Sequence, residues 1–208
     1  MVDLFSATQP AFDGDDITQL STGATSTGDD EDYIAFDRPA QGQTFTTVGA
    51  GDFTSITVKA RSSSVLIPAD AVMTLRLSTV SGTTLTPILT QSATVPSAIA
   101  FAVSGFTDWV TFTLTNPLAV SGATVYGFDF GISSASEPVF YFEIDGAADT
   151  SYTGGSAFAS GDNDGVGGTA LTALNRDRTF GVAIIPEPSA ALLGGLGILT
   201  LLVRRRRA

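Results

Sequence analysis

Cysteine and histidine are both absent from this 208-residue chain. Without cysteine there is no disulfide, no thiol nucleophile and no thiolate metal site. Without histidine there is no imidazole base for a serine or cysteine triad, and zinc and haem lose their usual ligand. Positive charge is also scarce, since residues 1–184 carry only Arg38, Lys59, Arg61, Arg76, Arg176 and Arg178. Six basic against twenty acidic residues give that stretch a formal charge of −14. Such a surface repels DNA, RNA and anionic lipid and favours cations, neutral polymers or plain solubility. No Gly-x-x-x-x-Gly-Lys-Ser/Thr pattern occurs, so phosphate-loop chemistry has no support. Long apolar runs are missing too, until 190–203.

That run is uncharged, and its Leu, Ile and Val residues would cover every side of a helix, which suits lipid. At roughly 1.5 Å per residue it reaches about two-thirds of a bilayer core, so Ile184, Ile185 and snorkelling arginine stems must complete the span. Arg204, Arg205, Arg206 and Arg207 follow directly and would hold that end in the cytoplasm, leaving everything before Pro186 outside the inner membrane. Ahead of the run stands Pro186-Glu187-Pro188. Together these parts resemble the PEP-CTERM sorting signal of Gram-negative bacteria. The resemblance implies that an exosortase, a membrane protease-transpeptidase, processes the chain near the Pro-Glu-Pro, and that the product goes to the cell envelope or the extracellular polymer matrix. An exported cargo needs an N-terminal leader, and Met1-Val2-Asp3-Leu4-Phe5 does not begin one, so a leader is expected upstream.

The rest reads as one domain. Residues 1–40 form an acidic segment leading in, with Asp13-Gly14-Asp15-Asp16 and Asp29-Asp30-Glu31-Asp32 as clusters. Residues 41–184 alternate in the manner of half-buried strands, and residues 185–208 form the sorting signal with its apolar helix at 189–203. Strands are expected at 44–47, 55–60, 72–78, 84–91, 98–103, 109–115, 124–132, 139–144 and 179–184. The fold class is all-β: an antiparallel β-sandwich followed by one C-terminal transmembrane helix. Met73, Leu75 and Leu77 face the core while Thr74 and Arg76 meet water. Val110, Phe112 and Leu114 point inward, as do Tyr126, Phe128 and Phe130, with Asp129 opposite. A hairpin is expected across 133–138, joining strands 124–132 and 139–144. Gln43-Thr44-Phe45-Thr46, 109–114 followed by Pro117-Leu118, and Val125-Tyr126-Gly127-Phe128 resemble bacterial surface jelly-roll domains, which implies a jelly-roll-like topology.

Two places could carry chemistry. Gly161-Asp162-Asn163-Asp164-Gly165 crowds carboxylates onto a flexible turn of the kind that binds calcium. No glutamate follows at the EF-hand distance, which excludes an EF-hand but leaves room for a structural calcium, with Asp162 and Asp164 joined by Asp13 and Asp15 and with Asp16, Asp29 and Asp30 as further donors. A solvated turn without an ion is the preferred reading, and calcium is the alternative. On the outward face, Asp129, Tyr141 and Glu143, with Asp145 nearby and Trp109 as a second aromatic platform, are the candidate surface for an exopolysaccharide, against the preferred reading of a partly buried Trp109 and outward acids that merely keep the sheet soluble. Arg176 and Arg178 flank Asp177, and local ion pairing accounts for them. The leading reading is a non-enzymatic exported envelope or matrix protein with exosortase and inner membrane as partners. A carbohydrate-binding or adhesive module is the alternative. A polysaccharide-active enzyme, built on two carboxylates facing across one site, is third.

Overall fold

The computed structural model describes residues 2–6, 8–20, 33–35, 38–62, 71–95, 108–134, 141–144, 146–148, 152–162, 165–174 and 176–187. Among them the secondary structure is entirely β and every ladder is antiparallel. One sheet has six strands in the order β13 (Leu171–Ala173), β12 (Ala157–Ser160), β4 (Ala40–Thr46), β9 (Val125–Ser134), β6 (Val72–Ser81) and β7 (Thr84–Thr94). The other has seven. Its main path is β1 (Val2–Ser6), β8 (Asp108–Val120), β5 (Gly51–Ser62), β10 (Tyr141–Ile144) and β3 (Tyr33–Ala35). Strand β15 (Phe180–Pro186) also pairs with β5 and carries β2 (Ile17–Gln19) on its far side, while β11 (Gly146–Ala148) and β14 (Arg176–Arg178) form a separate pair.

Period-two alternation drives the packing of one sheet on the other. Met73, Leu75 and Leu77 of β6, Phe128 and Phe130 of β9 and Phe45 of β4 meet Ile56 and Val58 of β5, Val110 and Phe112 of β8, and Phe180 and Val182 of β15 in one buried cluster. Ring contacts cross the gap: Phe112 to Phe130 at 6.0 Å and Phe128 to Phe180 at 5.5 Å between centroids. Each such pair adds about 0.5–1.5 kcal/mol beyond the area it buries. In β5 the alternation slips. Phe53 and Ile56 both face the core because the register of β5 shifts between Phe53 and Ser55, and β15 shifts beside it between Ala183 and Ile184, as a bulge requires.

The chain crosses repeatedly between the sheets: β4 to β5, β5 to β6, β7 to β8, β8 to β9 and β9 to β10 each change sheet. Between β4 and β10, strands β6 and β7 are the exception, joined by the two-residue turn Gly82-Thr83 in which Gly82 adopts φ of 59°. The hairpin expected across 133–138 is therefore not formed. Strand β9 pairs with β4 and β6, and β10 pairs with β5 and β3 across the core. Alternation assigns faces but not partners, and both strands alternate alike.

Residues 1–40 are not a mere lead-in, because β1, β2 and β3 extend the seven-stranded sheet and β4 starts at Ala40. Strands of three residues, such as β2 and β3, leave too little alternation to read. No helix long and apolar enough to cross a membrane occurs among the described residues. The expected strand at 98–103, Pro188, the apolar run and Arg204, Arg205, Arg206 and Arg207 lie outside them.

Candidate functional site

Strand register places Arg76 of β6 directly opposite Asp129 of β9, on the face turned away from the core. The pair is bidentate. Arg76 Nε donates to Asp129 Oδ1 at 2.8 Å and Nη2 donates to Oδ2. Ser160 Oγ, from β12, donates to the same Oδ2 at 2.7 Å and accepts from Arg76 Nη2 at 3.1 Å. Expected to meet water, both side chains are instead buried, at 7% exposure for Arg76 and 2% for Asp129. The glycine-rich loop after β12 folds back over them.

Two features let the loop lie so close. Gly161 and Gly165 take φ of 80° and 70°, values that glycine adopts without strain. Gly131 offers no side chain where the Gly165 carbonyl oxygen rests, so a Cβ there would collide with it. Gly165 N then donates to Arg38 O at 2.9 Å. Arg76 fastens the lid from below, through Nη1 to Gly167 O and Nη2 to Gly168 O at 3.0 Å. A cleft of about 230 Å³ remains beside the pair, walled by Thr74, Thr90 and Ser92 with Val166 at its rim.

This geometry changes the expectation for calcium. The loop's carbonyl oxygens do converge with a carboxylate on a cation, but the cation is the Arg76 guanidinium. Asp162 is exposed beside the loop, and Asp164 lies outside the described residues. Asp13 and Asp15 are elsewhere. Their turn closes on itself: Asp15 N donates to Asp13 Oδ1 at 2.9 Å, Asp13 N donates to Asp16 Oδ2 at 2.9 Å, and Ile184 N reaches Asp16 Oδ1 at 3.3 Å. It borders a cleft of about 240 Å³ with Val48, Gly49, Ala50 and Pro186, beyond the last residue of β4, whereas Asp162 follows the strand that pairs with the first. Seven residues of β4 separate the two ends by about 20 Å. Asp13 and Asp15 therefore do not share an ion with Asp162. Among the described residues no three acidic side chains are grouped to hold a metal.

The proposed ligand face is divided as well. Trp109, Tyr141 and Glu143 belong to the seven-stranded sheet and Asp129 to the other, across the core. Register sets Glu143 opposite Arg61 on β5, whose neighbour Lys59 faces Trp109. Trp109 is no open platform. It is 5% exposed, and the Lys59 ammonium stands 5.9 Å from its ring centroid.

A second polar group lies inside the sandwich and was not anticipated. Gln41 and Gln43 share the core-facing parity of Phe45, and all three are buried. Arg178 N donates to Gln43 Oε1 at 2.8 Å, and Arg178 Nη2 donates to Gln41 Oε1 at 2.9 Å. Gln43 Nε2 donates to Asp177 Oδ1 at 3.2 Å, and Tyr152 N donates to Asp177 Oδ2 at 2.8 Å. Arg178 and Asp177 are thus interior groups, both bonded to side chains of β4 and Asp177 also to the backbone of Tyr152. Two glutamines on the parity of a buried phenylalanine were the available signal. Tyr152 packs edge-on against Phe180 at 5.3 Å, and burial pushes its hydroxyl pKa upward.

At the other margin, Ile184, Ile185 and Pro186 pair with Phe53, Asp52 and Gly51, and Glu187 N reaches Ala50 O at 3.4 Å. Pro186 and Glu187 are exposed. No protein-family model and no curated protein matches this chain.

Proposed function

We propose that this chain is the cargo of an exosortase: a non-enzymatic, jelly-roll-like β-sandwich exported to the cell envelope or extracellular matrix. A single C-terminal transmembrane helix holds it at the inner membrane until it is processed at the PEP-CTERM signal. The observation that supports this reading is the position of the last strand: β15 is laddered to β5 up to Pro186, the first residue of the Pro-Glu-Pro, and the apolar run and the arginines come after it in the sequence. A cut beyond Pro186 would leave the whole of β15 with the sandwich. A jelly roll is favoured by the repeated crossing of the chain between the two sheets. A non-enzymatic role is favoured because Asp129 and Asp177, the two carboxylates buried among the described residues, are both engaged in holding loops and strands.

The test is the intact mass of the protein from its host, in membrane and medium fractions, with and without the exosortase. A protease that binds extended substrate needs free backbone on both sides of the bond it cuts. The backbone through Pro186 is committed to β5, so the wild-type product should end at Glu187 or later. Retention of Arg204 to Arg207 in both strains would make the tail a plain anchor and end the cargo reading.

A further inference from the structure

Few large apolar side chains are exposed among the described residues, and they are unevenly placed. Of Val48, Ile88, Val125, Val166 and Ile185, three gather at the end of the sandwich from which the chain leaves toward its tail. Val48, at the tip of the turn between β4 and β5, is 94% exposed, and Ile185 is 60% exposed. Val125 joins them because its strand partner is Thr46, two residues before Val48. The tips are cross-tied. Thr47 N donates to Thr124 O at 3.1 Å, Ala123 N donates to Thr47 O at 2.9 Å, and Gly122 sits so close that a Cβ on it would lie about 3.0 Å from the Gly49 backbone. An apolar tip held this firmly is shaped for a partner rather than for water.

We infer that this end of the sandwich rests on the lipid surface before processing, with Val48, Val125 and Ile185 set into the headgroup layer. The inference depends on the reading above, in which 190–203 enters the membrane. Only two residues separate Glu187 from that run. Even fully extended, the link from Glu187 to the run spans about 10 Å, little more than the headgroup layer on one side of a bilayer. The domain therefore cannot stand clear of the membrane, and this end must face it. Charge selects the lipid. Asp15, Asp52 and Glu187 are exposed around the same margin, and within a Debye length of about 8 Å they repel anionic headgroups. A zwitterionic surface is the one that fits.

The absence of native cysteine makes the test clean, because one introduced thiol carries the only label. Val48→Cys on the full chain takes a polarity-sensitive fluorophore at an exposed turn where the fold is not disturbed. Thr94→Cys is the control, exposed at the far end of β7, about 30 Å away along the strands by register. Both proteins are placed in phosphatidylcholine vesicles whose acyl chains carry bromine close to the headgroup. The expected result is roughly twofold quenching at position 48, little at position 94, and weaker quenching when phosphatidylglycerol is mixed in. If the protein floats with the vesicles but position 48 is quenched no more than position 94, the anchor stands and the lipid contact is overturned. If the protein does not float at all, both readings fall. A blue shift at position 48 that grows with protein concentration in the absence of lipid would assign the patch to a second copy of the chain and also overturn the proposal.

Discussion

Asp129 and Asp177 are both almost wholly buried, yet they are kept there by opposite means. Asp129 lies on the outward face of the six-stranded sheet and is met by a guanidinium and a hydroxyl, under a loop that the same guanidinium pins down. Asp177 lies within the sandwich, where it accepts from the amide of Gln43 and from the backbone N–H of Tyr152. One carboxylate is held by an opposite charge and the other by dipoles. A buried charge that loses its counter-charge is far more costly than a buried dipole that loses one acceptor. The same change at both positions should therefore have unequal effects.

Asp129→Asn should have the largest effect. It leaves Arg76 charged, 7% exposed and without a counter-ion, at a cost of about 3–5 kcal/mol. Urea unfolding of the full chain can be followed by Trp109, its one tryptophan and itself buried. Combining Arg76→Met with Asp129→Leu should cost less than the single change, since no charge is stranded, although the Gly167 and Gly168 carbonyls lose their donor. If the double variant were as unstable as Asp129→Asn, the loop rather than the ion pair would be the element that matters.

Asp177→Asn should cost less, about 1–3 kcal/mol. The asparagine keeps one carbonyl oxygen for Gln43 or for Tyr152 but not for both, and Gln43 Nε2 retains its second bond, to Thr44 O at 3.2 Å. Measured by the same unfolding curves, equal losses at the two positions would mean that Asp177 is balanced by charge after all.

These two carboxylates also mark how far the sequence could be read. The inward parity of Met73, Leu75, Leu77, Val110, Phe112, Tyr126, Phe128 and Phe130 was legible because a period of two needs only local neighbours, and all eight are buried. That Asp129 points away from the core was legible for the same reason. Its burial was not, because the lid over it includes residues 165–168 and Arg76 comes from a strand 53 positions earlier. Sequence alternation distinguishes the two sides of a sheet, whereas loops decide which side is wet. The pairing of Asp13 with Asp162 failed similarly. Both stretches have the composition of an ion-binding turn, and only the length of β4 between them excludes a shared ion.

The smallest of the three effects tests the dipole-held site without altering its carboxylate. Burial raises the Tyr152 pKa above its ordinary 10.0, the Thr46 N–H bond to its hydroxyl opposes that rise, and the negative charge of Asp177 adds to it. Above pH 10 the folded protein therefore holds this proton more tightly than the unfolded chain does. By linkage, the contribution to stability is complete below about pH 10 and is lost as pH rises through the folded-state pKa. Tyr152→Phe removes that titration, so the stability advantage of the wild type over the variant should shrink with rising alkalinity. Tyrosinate absorbance, taken as wild type minus Tyr152→Phe, locates the transition directly. Asp177→Asn should move it toward 10.0 by deleting the nearby charge, whereas Asp129→Asn should leave it unmoved, because Asp129 is on the other side of the six-stranded sheet. If Asp129→Asn shifted it equally, the two carboxylates would be parts of one electrostatic site rather than two.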